Sequence, residues 1–460
     1  MRLTILGGGG FRVPLVYRAL LADATRGSGV ISELVLFDTD ERRLRAIGAV
    51  LERQRDAHRA AGGAPAPAIR AETDAVAALR GTDLVFSAIR VGGMPGRVRD
   101  ERVALAAGVI GQETVGAGGI SYGLRTLPVA LRFARTIAEE APDAWVANFT
   151  NPAGLVTEAM AEVLGDRVVG ICDSPVGLAR RAARTLGLDP ADTHADYVGL
   201  NHLGWLRGLW AGGRDRLPEL LADDAALTSF EEGRLFGADW LRALGCLPNE
   251  YLHYYYMARE AHAATARTLA HGGQTRGEQL VAQQEAFYRA AAADPQDALT
   301  LWEAARRERE ETYMADNRRA AGDVQRDEED LDGGGYERVA LAVMRAVARD
   351  EPTRLIVDVR NRGALSELDA DAVAEVPCLV DASGARPLAA APLTGHQSAL
   401  VQAVKAVDRE VIEAVRTGSR TPALRAFATH PLVDSVHTAR TLLDGYMEAF
   451  PELAKVLVRP

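Results

Sequence analysis

Two residues of this chain have side chains rare enough in it, and reactive enough, to suggest chemistry: Cys172 in Gly170-Ile-Cys-Asp-Ser-Pro175 and His202 in Gly199-Leu-Asn-His-Leu203. One thiolate and one imidazole make a pair, whereas a structural zinc site takes four ligands. Such a pair therefore describes an open metal site, completed by substrate oxygens and water. The alternative is a buried cysteine and a hydrogen-bonded core histidine. Polar clusters of the same kind recur at Arg90-Val-Gly-Gly-Met-Pro-Gly-Arg97, at Gly111-Gln-Glu-Thr-Val-Gly-Ala-Gly-Gly119 and at Asn148-Phe-Thr-Asn-Pro152. Each follows a short apolar stretch.

Those stretches are the elements that must position the clusters. Leu3 to Leu6, Glu33 to Phe37, Asp83 to Ile89, Trp145 to Phe149 and Val168 to Ile171 read as buried strands separated by helical patterns. That alternation predicts βαβ units around a mostly parallel sheet with both faces covered. Ligands of such sheets bind at the carboxyl ends of the strands, where strand order reverses, so the clusters converge on one edge. The first stretch runs through Gly7-Gly8-Gly9-Gly10 and Phe11-Arg12 into a helical pattern from Val13 to Ala22, the context in which backbone amides meet a pyrophosphate. Gly7 and Gly9 fit the first two glycines of the dinucleotide fingerprint, while Arg12 stands at the third. Asp38 ends the second strand, ~30 residues after the glycines where ~20 is usual. Its carboxylate has two equal readings, a partner for the ribose hydroxyls of NAD or the N-cap of the following helix. Together these features favour an NAD-binding fold.

The second half is richer in helix and charge. Glu303 to Asp332 reads as a solvated amphipathic helix. Leu355 to Val359 and Val376 to Val380 read as strands, and Ser398 to Arg416 and Val433 to Ala449 as closing helices. The Gly-Pro-rich piece from Ala60 to Ala68 is a surface loop within the first domain. The domain boundary is placed near Asp196, giving residues 1–195 and 196–460.

Composition limits the partners. With 53 basic against 63 acidic residues and a formal net charge of -10, the 460-residue chain is not built to cover nucleic acid. Three cysteines over this length make no disulfide framework and point to a reducing compartment. No signal-peptide core or spanning apolar run is evident, so the expectation is a cytoplasmic protein without membrane association.

The motifs GGGG…LFDTD, RVGGMPGR, GQETVGAGG, NFTNPAG, GICDSP, GLNHLGW and NEYLHYYY, followed by NRGAL, EVPC and THPL, resemble in order and spacing those of the NAD- and manganese-dependent glycoside hydrolases of family 4. Within that family the pattern looks most like the 6-phospho-β-glucosidases. The resemblance implies a Rossmann-like, doubly wound α/β domain followed by a helix-rich α+β C-terminal domain, related to lactate and malate dehydrogenases. It implies NAD and Mn²⁺ or another divalent metal as cofactors, a phosphorylated glucoside as substrate, and a homodimer or homotetramer.

Carried over by position, Cys172 and His202 match the metal ligands, Asn151 a substrate-contacting asparagine, Arg97 and Arg276 the residues that hold the sugar 6-phosphate, and Tyr251 the catalytic base. Tyr254, Tyr255 and Tyr256 follow closely enough to compete for that last role. Asp173 departs from the β branch, where an asparagine commonly follows the metal cysteine; aspartate there is familiar from the α branch, as the acid. The implied chemistry is an elimination assisted by transient oxidation. Hydride leaves sugar carbon 3 for NAD⁺, the carbon 2 proton becomes acidic and is removed by Tyr251, the aglycone departs with help from Asp173 or water, and the steps then reverse. A 2-hydroxy-acid dehydrogenase, which would release NADH stoichiometrically and has no need of the Cys172 and His202 pair, and a silent NAD-binding sensor are the other classes.

Overall fold

The computed structural model describes residues 1–27, 29–313 and 335–459. Strands β1 (Arg2–Leu6), β2 (Glu33–Phe37), β3 (Ala68–Glu72), β4 (Leu84–Ser87), β5 (Trp145–Asn148) and β6 (Val168–Gly170) are all parallel and lie in the order β3-β2-β1-β4-β5-β6. This is the dinucleotide-fold order, and it reverses between β1 and β4. Alternation sends successive side chains into two separate cores. Leu3, Ile5, Leu34 and Leu36 pack with the helices Val13–Thr25 and Glu41–Ala60, while Leu6, Val35 and Phe37 share the opposite core with Gly116–Glu140 and Ala153–Leu164. The doubly wound reading holds.

Beyond β6 the same sheet continues in antiparallel pairing through strands from the second half. β7 (His194–Leu200), β8 (Leu203–Ala211), β9 (Arg214–Asp215), β10 (Leu247–Pro248), β11 (Thr353–Arg360), β12 (Val373–Asp381) and β13 (Gly384–Pro387) extend it in the order β6-β11-β12-β7-β8-β10, with β9 on β8 and β13 on β12. Parallel pairing thus gives way to antiparallel pairing without interrupting the sheet, and Asp196 lies within β7. The β7–β8 hairpin carries His202 to the cavity wall that Cys172, just beyond β6, also lines.

Strand β3 was not among the expected strands. Its sequence Ala-Ile-Arg-Ala-Glu is mostly exposed or half-buried at the sheet edge, which leaves little apolar signal. The charged tract requires a correction. Helix Ala298–Glu311 is not a purely solvated element, because Trp302, Arg306 and Glu310 are buried, with Trp302 packed on Phe11. The part of that tract from 314 onward lies outside the described residues.

The helix that carries Arg97, Gly93–Ala106, is fixed by a buried ion pair. Arg125 reaches Asp100 with two hydrogen bonds of 2.8 and 2.6 Å, and its guanidinium lies 3.7 Å from the ring centre of Phe450. Removing one partner strands the other's charge in the core. Asp100→Ala should therefore cost about 3–5 kcal/mol, visible in calorimetry as a lowered unfolding temperature, and an unchanged transition would contradict it. All three cysteines are free and buried. No helix among the described residues is long and apolar enough to cross a membrane.

Candidate active site

The glycine turn is held by strain that only glycine accepts at its start. Gly7 has φ of 87°, and a Cβ there would lie 2.6 Å from the Ala88 carbonyl oxygen. The amides of Gly7 and Gly8 both donate to the Phe37 oxygen, at 2.9 and 2.7 Å, which ties the turn to the end of β2. Asp38 completes the tie: its carboxylate accepts from the Gly9 amide at 3.0 Å and the Asp40 amide at 3.1 Å. The N-cap reading of Asp38 is overturned, since Asp40 caps helix Glu41–Ala60 by accepting from the amides of Arg42 and Arg43.

Three side chains from the second half close on this turn. The Tyr288 hydroxyl donates to the Gly9 oxygen at 2.7 Å, the Trp302 indole to Phe11 at 2.8 Å and the Tyr336 hydroxyl to Arg12 at 2.9 Å. The amides of Phe11 and Arg12 meet no acceptor among the described residues. Two unmatched donors at the start of the 13-residue helix Val13–Thr25 are what a pyrophosphate satisfies, so the turn fits a dinucleotide.

A cavity of 230 Å³ opens at the carboxyl ends of β4, β5 and β6, and its walls include Arg12, Arg97, Asn151, Cys172, Asp173, His202, Tyr251 and Arg276. Gly7–Gly10, Phe11 and Asp38 are outside its lining. Arg12 is the one expected cofactor residue that reaches it. Every expected metal, substrate and catalytic residue does.

His202 occupies the tight turn between β7 and β8 with φ of 63°, a left-handed conformation costing of order 1–3 kcal/mol for a residue with a side chain. Its Nδ1 lies 3.1 Å from the Thr114 hydroxyl, which leaves Nε2 for a ligand. Burial pushes its pKa down to about 3, against a weaker opposing pull from Glu113, so the ring is neutral and its lone pair available. Burial, then the negative charges of Glu375 and Asp173, raise the Cys172 thiol well above its ordinary value, and a nearby cation is what reverses that trend. Among the described residues no group of three or more such side chains could hold a metal. Cys172 and His202 line the same cavity, and a thiol and a neutral imidazole are donor types that suit a divalent ion.

Tyr251 stacks on His202, ring centres 3.6 Å apart and planes 7° from parallel. Its hydroxyl is 3.3 Å from that of Tyr313, and Asn249 fixes its backbone by accepting from the Tyr251 amide. Burial, then Glu250, drive its pKa well up. Tyr254 also lines the cavity, whereas Tyr255 and Tyr256 do not; the Tyr256 hydroxyl accepts from the Trp205 indole at 2.9 Å. Asp173 precedes helix Ser174–Thr185 at the cavity wall. Among the described residues the buried Asn151 Oδ1 has no hydrogen-bond partner, which makes it an acceptor suited to a sugar hydroxyl.

Arg97 is already paired, with Glu101 at 2.7 Å and Glu113 at 2.6 Å, and Arg90 holds the other Glu113 oxygen at 2.5 Å. Burial alone would raise the Glu113 pKa, but the two guanidinium groups overcome it and hold it near about 2. Arg276 opens helix Arg276–Ala293 and donates to the Thr312 hydroxyl at 2.7 Å and the Arg309 carbonyl at 3.0 Å. Glu113, Thr114, Glu250, Arg309 and Tyr313 were not singled out in the sequence. Glu113 and Thr114 sit in a glycine-rich loop that was, and Glu250 directly precedes Tyr251; Arg309 is one arginine in a charged tract and carries no such signal.

The chain is similar in sequence and in fold to known proteins. A probable 6-phospho-β-glucosidase of Bacillus subtilis (strain 168) is 30% identical over 98% of this chain and 96% of its own. A 6-phospho-α-glucosidase of Lacticaseibacillus paracasei is 29% identical, over 98% of each chain. The structure of the 6-phospho-β-glucosidase from Thermotoga maritima with manganese, NAD⁺ and glucose-6-phosphate superposes with a TM-score of 0.81 at 25% identity, covering 98% of this chain and 99% of that one. Residues 2–188 match the family 4 glycosyl hydrolase model and residues 197–433 its C-terminal domain model, and the chain belongs to glycosyl hydrolase family 4.

Proposed function

We propose that the chain hydrolyses 6-phosphoglucosides, with β-linked ones as its substrates, using NAD and Mn²⁺ or a similar divalent ion. Residues 1–195 would hold the dinucleotide, and residues 196–460 would complete the metal and substrate sites, in a cytoplasmic homodimer or homotetramer. One observation carries the reading: Cys172, His202, Asn151 and Tyr251, distant in sequence, line a single cavity beside the glycine turn. The relatives named above support the phosphosugar and the cofactors.

When bound, the dinucleotide and the metal ion supply reversible oxidation at sugar carbon 3 and Lewis acidity. Cys172 Sγ and His202 Nε2 would hold the ion, with Thr114 orienting the imidazole through Nδ1. Tyr251, as the phenolate that bound cationic groups would favour, would take the carbon 2 proton, and the Asp173 carboxyl, in its protonated form, would deliver one to the departing aglycone. Asn151 Oδ1 accepts from a sugar hydroxyl, while Arg97 and Arg276 bring positive charge to the phosphate.

Asp173 favours a second reading, α-linked substrates, since it puts a carboxyl where the β branch commonly has an amide. Incubation with α- and β-nitrophenyl 6-phosphoglucosides, NAD⁺, Mn²⁺ and a reductant separates them. Cleavage of the β-anomer is expected; cleavage of the α-anomer alone would transfer the chain to the other branch. NADH accumulating in step with product would indicate a dehydrogenase instead. The unphosphorylated glucoside should be turned over far more slowly, and equal turnover of both would overturn the phosphate assignment.

A further inference from the structure

The arginines around the cavity differ in how well their charge is met. Arg97 has two carboxylates and Arg90 shares one of them. Arg12 has Glu310 at 3.9 Å and lies 5.2 Å from the Tyr336 ring centre. Arg309 has no carboxylate within ion-pair distance among the described residues, and its Nε is buried without an acceptor. Burial, followed by the like charges of Arg12, Arg276 and Arg97, outweighs Glu310 and lowers its pKa to about 9, whereas Arg97 and Arg12 move upward. A guanidinium rarely yields its proton. Such a group wants an anion.

Its location says which one. Arg309 sits near the end of helix Ala298–Glu311, and the Arg276 side chain is tethered to that same end through the Arg309 carbonyl and the Thr312 hydroxyl. Both guanidinium groups thereby line the same cavity, which also holds Asn151, Cys172 and Tyr251. We propose that Arg309 is a substrate-binding residue that, with Arg276, receives the phosphate group of the phosphorylated sugar, the already paired Arg97 contributing less. The inference rests on the phosphosugar reading above. Planar donors from two arginines match the oxygens of a phosphate dianion, which closes the charge deficit at Arg309.

The shared chemistry, a phosphate, has a second source in the pyrophosphate of the dinucleotide, and the test separates the two. Glucose 6-phosphate and glucose are titrated calorimetrically into enzyme saturated with NAD⁺, and NAD⁺ into the free enzyme, for wild type, Arg309→Gln and Arg309→Lys. Losing a charged hydrogen-bonding partner should weaken glucose 6-phosphate by about 10–100-fold in Arg309→Gln, with glucose and NAD⁺ changed less than about 3-fold. Lysine should restore part of the loss, as a point charge without the planar fork.

Unchanged glucose 6-phosphate affinity in Arg309→Gln, beside a wild type that prefers the phosphorylated sugar, overturns the role of Arg309 alone. A loss confined to NAD⁺ assigns the arginine to the dinucleotide and overturns it too. A wild type that binds glucose 6-phosphate no better than glucose brings down the phosphosugar reading with it. Thermal unfolding checks that the variants fold. Should Arg309→Gln not fold, Arg309→Lys decides, since full glucose 6-phosphate affinity in it would rule out bidentate recognition.

Discussion

Tyr251→Phe should lower kcat by about 10²–10⁴-fold, the range a positioned general base contributes, while NAD⁺ binding persists. The substitution isolates one oxygen. Phenylalanine keeps the ring that stacks 3.6 Å from His202, so the turn bearing the imidazole stays packed, and only the hydroxyl and its 3.3 Å contact with Tyr313 are lost. The signature of that oxygen's work is isotopic. If the carbon 2 proton is removed during turnover, wild-type hydrolysis in D₂O places deuterium at carbon 2 of the released sugar phosphate. Direct displacement at carbon 1 by two carboxylates would leave that C–H bond untouched. A thioglycoside should be cleaved comparably well, because elimination depends less on protonating the leaving atom. Tyr251→Phe should lose exchange and cleavage together. Deuterium-free product from a fully active wild type would remove the elimination chemistry, and retained exchange in the variant would pass the role to Tyr254, the other cavity-lining tyrosine of that run.

Apart from the edge strand β3, the parallel half was legible because its strands are buried on both faces and read as nearly continuous apolar runs. Leu3, Ile5 and Leu6 feed two cores at once, a pattern that amphipathic elements do not make. The antiparallel half was less so. β11 and β12 showed as apolar runs, but β7 opens on His194-Ala-Asp, β8 is interrupted by Arg207, and β7 finds its other neighbour in β12, far along the chain. The same distance hid the electrostatics. Asp38 was identified as a carboxylate at a strand end, yet its bonds to the Gly9 and Asp40 amides are products of the folded turn. Arg97 was identified by motif, while its neutralisation by Glu101 and Glu113 was not, since Glu113 arrives from another loop. Arg309 is the extreme case: its significance is a missing partner among the described residues, which no local pattern encodes.

Removal of the metal should be the most damaging single change of conditions, and Cys172→Ser should reproduce it. Two protein ligands in an open site bind an ion less tightly than a closed set of four, so exhaustive EDTA treatment followed by desalting should abolish activity, with recovery on adding Mn²⁺. Losing an outer partner of a ligand typically costs 10–100-fold in affinity or activity, and losing the thiolate itself should exceed about 100-fold. His202→Ala should match it, and the double variant should be little worse than either, because the two side chains act on one ion. The geometry adds a graded control. Thr114→Val keeps both ligands but removes the hydroxyl 3.1 Å from His202 Nδ1, so it should raise the Mn²⁺ concentration needed for half-maximal activity while leaving activity at saturating Mn²⁺ largely intact. The measurement is activity against free Mn²⁺ for all four proteins and wild type. Full activity of the chelated, desalted wild type, or a Cys172→Ser variant indistinguishable from it at every Mn²⁺ concentration, would show that the thiol and imidazole in this cavity are packing groups and not a metal site.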